Sequence, residues 1–63
     1  MNYDFDKQRI KAIRVGLGET QELFAQRLSV TQGMVSRWER GRSQPRSGRC
    51  LKALLDAEAE VTA

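Results

Sequence analysis

The side chains with the most chemistry to offer lie in the middle of the chain. Arg27, Arg37, Arg40, Arg42, Arg46, Arg49 and Lys52 stand there against a single acid, Glu39. Arg presents a planar fork of donors that matches phosphate oxygens and the O6/N7 edge of guanine. The preceding stretch balances Lys7, Arg9, Lys11 and Arg14 against Asp4, Asp6, Glu19 and Glu22, and the end carries Asp56, Glu58 and Glu60. A net charge of +3 therefore conceals a concentrated basic segment. Such a cluster is either a solvated basic face or a surface for a polyanion, and its concentration favours the polyanion. Other chemistry lacks its parts. With no His the commonest general base is missing, as is any His-containing zinc site, so an enzyme, a metal and a cofactor are all unexpected.

The elements that must position these arginines are few. A length of 63 residues implies a single small domain, residues 1–63, with marginal burial and a need for good helix packing, a homodimer, or both. Cys50 is the only cysteine, so no internal disulfide can help, and on this reading it is inert packing. No run approaches a membrane span, and Met1-Asn2-Tyr3-Asp4-Phe5-Asp6 has neither the basic nor the apolar region of a signal peptide, so a reducing cytoplasm is expected.

Apolar periodicity gives four helices and no convincing strand. Ile10, Ile13 and Leu17 predict a first helix over about residues 6–15, capped by Asp6 and stopped by Gly16. Leu23, Phe24 and Leu28, with the small Ala25, predict a second over about 20–28 behind a Thr20 cap. Met34, Val35 and Trp38 predict a third over about 31–40, with Thr31 as cap and Gly41 just past its end. A fourth begins near residue 47, with Cys50, Leu51, Leu54 and Leu55 on its apolar side and Ala57 and Val61 extending it. Only residues 29–31 join helices two and three, which favours a steep crossing with Ala25 at the close approach and Ser29 in the turn.

The residues at this crossing carry a family likeness. Residues 21–40, with Leu23-Phe24-Ala25-Gln26-Arg27-Leu28-Ser29-Val30-Thr31 at the turn and Trp38-Glu39-Arg40-Gly41 at the close, resemble the helix-turn-helix of the phage-repressor-like (XRE) family. Ile13-Arg14 before it and Pro45 after it extend the likeness over about residues 10–55, and the short form is most similar to antitoxin-type members. Two features depart from the family: Ser29 stands where Gly is usual, and there is room for one fourth helix only. The resemblance implies an all-α, compact four-helix lambda-repressor-like domain.

With Val35 and Trp38 facing inward, Gln32, Gly33, Ser36, Arg37 and Arg40 point outward from the third helix, where Gln can read adenine and Arg guanine. The resemblance puts that helix in the major groove, with Gln32, Gly33, Ser36 and Arg37 as candidate base contacts. It makes Gln21 a phosphate clamp. Thr31, at a helix start, and Arg40, Arg42 and Arg46, around the exit of helix three, are candidate phosphate contacts. It also implies that Arg14 pairs with Glu39 to orient the recognition helix. For each of these, the alternative is an ordinary exposed side chain.

The function so implied is a sequence-specific double-stranded DNA-binding repressor or autoregulator, working by operator occupancy without a small-molecule effector. The alternative is an antitoxin that neutralises a toxin protein, with residues 56–60 as the candidate surface. A homodimer is expected in the leading case. Helical phase assigns Leu51 and Leu55 to the core, and Cys50, Leu54, Ala57 and Val61, with Ala53 allowing close approach, to the two-fold contact.

Overall fold

The computed structural model describes residues 4–63; residues 1–3, the start of the stretch read as no signal peptide, lie outside the described residues. Four helices follow one another: α1 (Lys7–Leu17), α2 (Gln21–Leu28), α3 (Gln32–Glu39) and α4 (Gly48–Thr62). Each starts at a capping side chain; Asp6, Thr20 and Thr31 are the expected caps, and Ser47 is a fourth. The side chains of Asp6, Thr20, Thr31 and Ser47 accept from the N–H of Arg9, Leu23, Met34 and Cys50, which satisfies donors that have no partner inside the helix. None of the helices is long and apolar enough to cross a membrane among the described residues.

The first three helices end in the same way. After α1 the N–H of Gly18 donates to Val15 and that of Glu19 to Arg14; after α2, Ser29 donates to Gln26 and Val30 to Ala25; after α3, Gly41 donates to Trp38 and Arg42 to Arg37. Each is a Schellman pair with a left-handed residue at its centre: Gly18 at φ 70°, Ser29 at 59° and Gly41 at 76°. Ser29 thus occupies the strained conformation that the family's glycine would adopt freely.

The stop for α1 is Gly18, two residues beyond the expected Gly16. Gly16 lies inside the helix for a packing reason: a Cβ there would come within 2.5 Å of Val61 Cγ1 on the last turn of α4. The glycine makes room for α4 instead of breaking α1.

The core comprises Phe5, Ile10, Ile13, Phe24, Ala25, Leu28, Val35, Trp38, Cys50, Leu54 and Ala57, with Leu17, Val30, Leu51, Ala53 and Leu55 packed around it. Phe5, ahead of α1, is a core member that no helical periodicity could flag. α2 packs on α3, and α1 packs on both α3 and α4. Two stripe members face outward: Leu23 is 51% and Met34 39% exposed, because each sits beside, and not on, the inward arc of its short helix.

The phase of α4 is reversed from the expected one. Cys50, Leu54 and Ala57, assigned to a two-fold contact, are buried by their own chain, Leu54 completely. Leu51, Leu55 and Ala53 are the half-buried ones. Burying a leucine fully contributes roughly 1.5–3 kcal/mol, so the monomer's own core takes the apolar row that meets α1 and α2 best. Val61 packs on Gly16, and α4 stays helical to Thr62.

Candidate nucleic-acid interface

Ala25 is buried in the α2–α3 crossing, and the N–H of Val30 donates to its carbonyl at 3.0 Å. That closure, with Ser29 in the left-handed region, turns the chain from α2 into α3 within three residues. Val35 and Trp38 anchor α3 from below. Gln32, Gly33, Arg37 and Arg40 lie exposed on its other side, and Ser36 is half-buried among them. So the structure brings the expected outward set together on one face.

Polar contacts refine this picture. The Ser36 hydroxyl is already engaged, since the Arg40 guanidinium folds back on it, with Nε at 3.1 Å from Oγ. Gln32 and Arg37 have no such tether among the described residues. The Thr31 hydroxyl accepts from Met34 N–H at 3.2 Å. The N–H groups of Gln32 and Gly33, in the first turn, have no acceptor within the helix. At Gly33 an added Cβ would meet nothing closer than the Thr31 hydroxyl at 3.8 Å, so the protein's own packing does not demand a glycine there.

The Arg14–Glu39 pair forms as the family resemblance implied. Arg14 donates from Nε to Glu39 Oε2 at 2.7 Å and from Nη2 to Oε1 at 3.0 Å. Its Nη1 donates to the carbonyl of Glu19 at 2.9 Å, so all three faces of the guanidinium fork are used. The side chains keep only 16% and 6% of their surface exposed. Hydrogen bonding to Glu39 holds the Arg14 pKa above its ordinary value. Gln21, half-buried at the start of α2, donates from Nε2 to Glu39 Oε1 at 3.3 Å. One carboxylate thereby ties the end of α1, the start of α2 and the end of α3, and it holds the Gln21 amide beside the end of α3.

Arg42 and Arg46 are exposed in the loop after α3 and form no ion pair among the described residues. Two features here escape sequence reasoning. Lys7, on the first turn of α1, packs beside Gly41, where a Cβ would lie 3.3 Å from Lys7 Cδ, so a fourth cation borders the exit of α3. Arg27, counted in the basic segment, is bound by Glu19 at 2.8 Å and by Glu60 at 2.8 Å and does not contribute free charge. Neither is visible from charge counts, because both depend on contacts between distant residues.

Among models of known protein families, that of the helix-turn-helix matches residues 10–54. The chain belongs to the XRE-type helix-turn-helix family. No curated protein and no solved structure matches it significantly. The family match takes in every helix of the fold except the start of α1 and the end of α4, and it identifies a DNA-binding regulatory domain.

Proposed function

We propose that this helix-turn-helix protein is a sequence-specific repressor or autoregulator that lays α3 in the major groove of duplex DNA and binds its operator as a homodimer. The observation that carries this is the polar face of α3, with Gln32 and Arg37 untethered among the described residues, framed by Arg42 and Arg46, which form no ion pair among them, and oriented by the Arg14–Glu39 pair. Gln32 and Arg37 read base edges. Gly33 lets the backbone approach closely, in keeping with a glycine that internal packing does not require. Ser36 acts with Arg40 as one unit, contacting base or phosphate through the pair. Thr31 and the held amide of Gln21 clamp phosphates at the two helix starts. A single unit makes few contacts, and two-fold symmetry on a palindrome doubles them, with half-sites about 34 Å apart. With Cys50, Leu54 and Ala57 in the core, the exposed sides of Leu51, Leu55 and Ala53 are the apolar surface α4 offers a second copy.

The antitoxin alternative has less behind it. Of the acidic residues at the end of α4, Glu58 is paired with Arg9 and Glu60 with Arg27, which leaves Asp56 as the one without an ion pair among the described residues.

Binding-site selection from random duplexes, followed by titration at several salt concentrations, tests the proposal. Neutralising about 4–6 phosphates per monomer gives a slope of log K against log salt of roughly −4 to −5. No enriched sequence, or an affinity independent of salt, would falsify it.

A further inference from the structure

A groove of about 360 Å³ runs along the flank of α3, between that helix, the turn before it and the loop leading to α4. Val30, Met34, Trp38, Pro45 and Cys50 give it a largely apolar lining, to which Ser43, Gln44 and Ser47 add polar groups. Arg37 and Arg46 stand at its rim, and no Asp or Glu lines it. Burial raises the pKa of the Cys50 thiol, so Cys50 brings no charge to the groove at neutral pH. The groove is open along one side, whereas small-molecule sites enclose most of their ligand. A largely apolar trough beside two guanidinium groups that form no ion pair among the described residues suits a chain segment that inserts an apolar side chain and keeps carboxylates at the rim. DNA supplies the charge for this rim but has no side chain to fill the floor.

We propose that this groove is a docking site for an acidic peptide segment of a partner protein, one or two apolar residues flanked by Asp and Glu. The apolar residues seat between Met34 and Pro45, and the carboxylates meet Arg37 and Arg46. The proposal needs no DNA. Only its consequence rests on the DNA-binding reading: Arg37 cannot serve the peptide and a base at once, so partner and operator exclude one another.

Trp38, the only tryptophan, reports directly on occupancy. The protein is titrated with acetyl-Asp-Glu-Asp-Leu-Phe-Glu-Asp-Glu-amide while Trp38 emission is followed, with circular dichroism confirming that each variant is folded. Saturable binding is expected. Met34→Asp and Arg46→Glu, both at exposed positions, should each weaken it about tenfold or more, the effect of losing one anchor. A control peptide with Ser for Leu and Phe should lose binding equally. If the Ser peptide binds as well as the parent, the association is charge alone and the groove is not the site. Absence of saturation up to millimolar peptide, tighter binding of free hexanoate than of the peptide, or a monomer–dimer equilibrium altered by Met34→Asp without any peptide binding would each overturn the proposal, the last in favour of a second copy. Adding operator duplex to the preformed peptide complex then tests the exclusion separately.

Discussion

Arg9, Arg14 and Arg27, on α1 and α2, each lie against a carboxylate brought from another part of the chain: Glu58, Glu39, and Glu19 with Glu60. Arg37, Arg42, Arg46 and Arg49, from α3 to the start of α4, have no ion pair among the described residues. The side chain is the same in both regions, and its surroundings decide its work. In the first region guanidinium groups fasten helices to one another. In the second they are exposed and have no ion pair among the described residues. A polyanion that approaches the second region need not first break an internal pair, which keeps the cost of binding down. The net charge of +3 is therefore less informative than its partition.

The sharpest way to break the comparison is Arg14→Ala. If Arg14 is a fastener, its loss leaves Glu39 nearly buried without its cation, a situation that costs about 3–5 kcal/mol, against about 0–1 for an exposed pair. The expected outcome is a large loss of stability in urea or thermal unfolding. A double-mutant cycle with Glu39→Gln should show strong coupling. Additive effects would place Arg14 with the unpaired arginines. Because Gln21 also rests on Glu39, the Glu39→Gln variant should lose DNA affinity even where it remains folded.

From the other side, Arg37→Ala should leave stability nearly unchanged and cost about 1–3 kcal/mol of binding, with relaxed preference at one or two base pairs. Arg42→Ala should weaken matched and mismatched duplexes alike. Fluorescence-anisotropy titrations on both kinds of duplex separate the two, and a uniform loss for Arg37→Ala would move it to the phosphate set.

Sequence alone carried much of this division and missed part of it for a physical reason. The caps Asp6, Thr20 and Thr31, the all-α class, the turn and the Arg14–Glu39 pair were legible, the last through the family resemblance, because caps and periodicity are local and the motif is contiguous. The phase of α4 was not. Its two apolar rows are almost equally apolar, and only the tertiary fit, with Leu54 fully buried and Val61 against Gly16, distinguishes them. The fastening of Arg9 and Arg27 was hidden for the same reason, since Glu58 and Glu60 lie 49 and 33 residues from their partners. The groove beside α3 likewise depends on how Pro45 and Cys50 meet Met34.

A smaller effect separates the fasteners by pH. Arg9 donates to Glu58 at 2.8 and 2.7 Å and also covers the Phe5 ring at 4.0 Å. Those hydrogen bonds hold the Glu58 carboxyl below its ordinary value. A carboxylate with a depressed folded-state pKa stabilises the fold above its unfolded pKa, and the contribution vanishes as pH falls through the folded value. The pair is partly exposed, so about 0–1 kcal/mol is at stake. Wild type should therefore exceed Glu58→Gln in stability at neutral pH, and the two should converge as the pH drops below about 4. Equal stability at neutral pH would show that the pair fastens nothing.

The smallest effect belongs to Arg27→Ala, and it tests the boundary between the two regions. Arg27 is the one fastened arginine within the basic segment, and its side chain is 35% exposed. Two carboxylates already meet it, and releasing it to a phosphate would leave Glu19 and Glu60 facing the same polyanion. Its loss should cost less than about 1 kcal/mol of stability, as exposed pairs do. On DNA the expected result is an unchanged slope of log K against log salt, whereas removing a true phosphate contact lowers that slope by about 1. Arg42→Ala, measured alongside on the same operator, supplies the positive case. If Arg27→Ala lowers the slope as much as Arg42→Ala does, then Glu19 and Glu60 release Arg27 on binding, and the partition seen in the free protein is not the one that meets DNA.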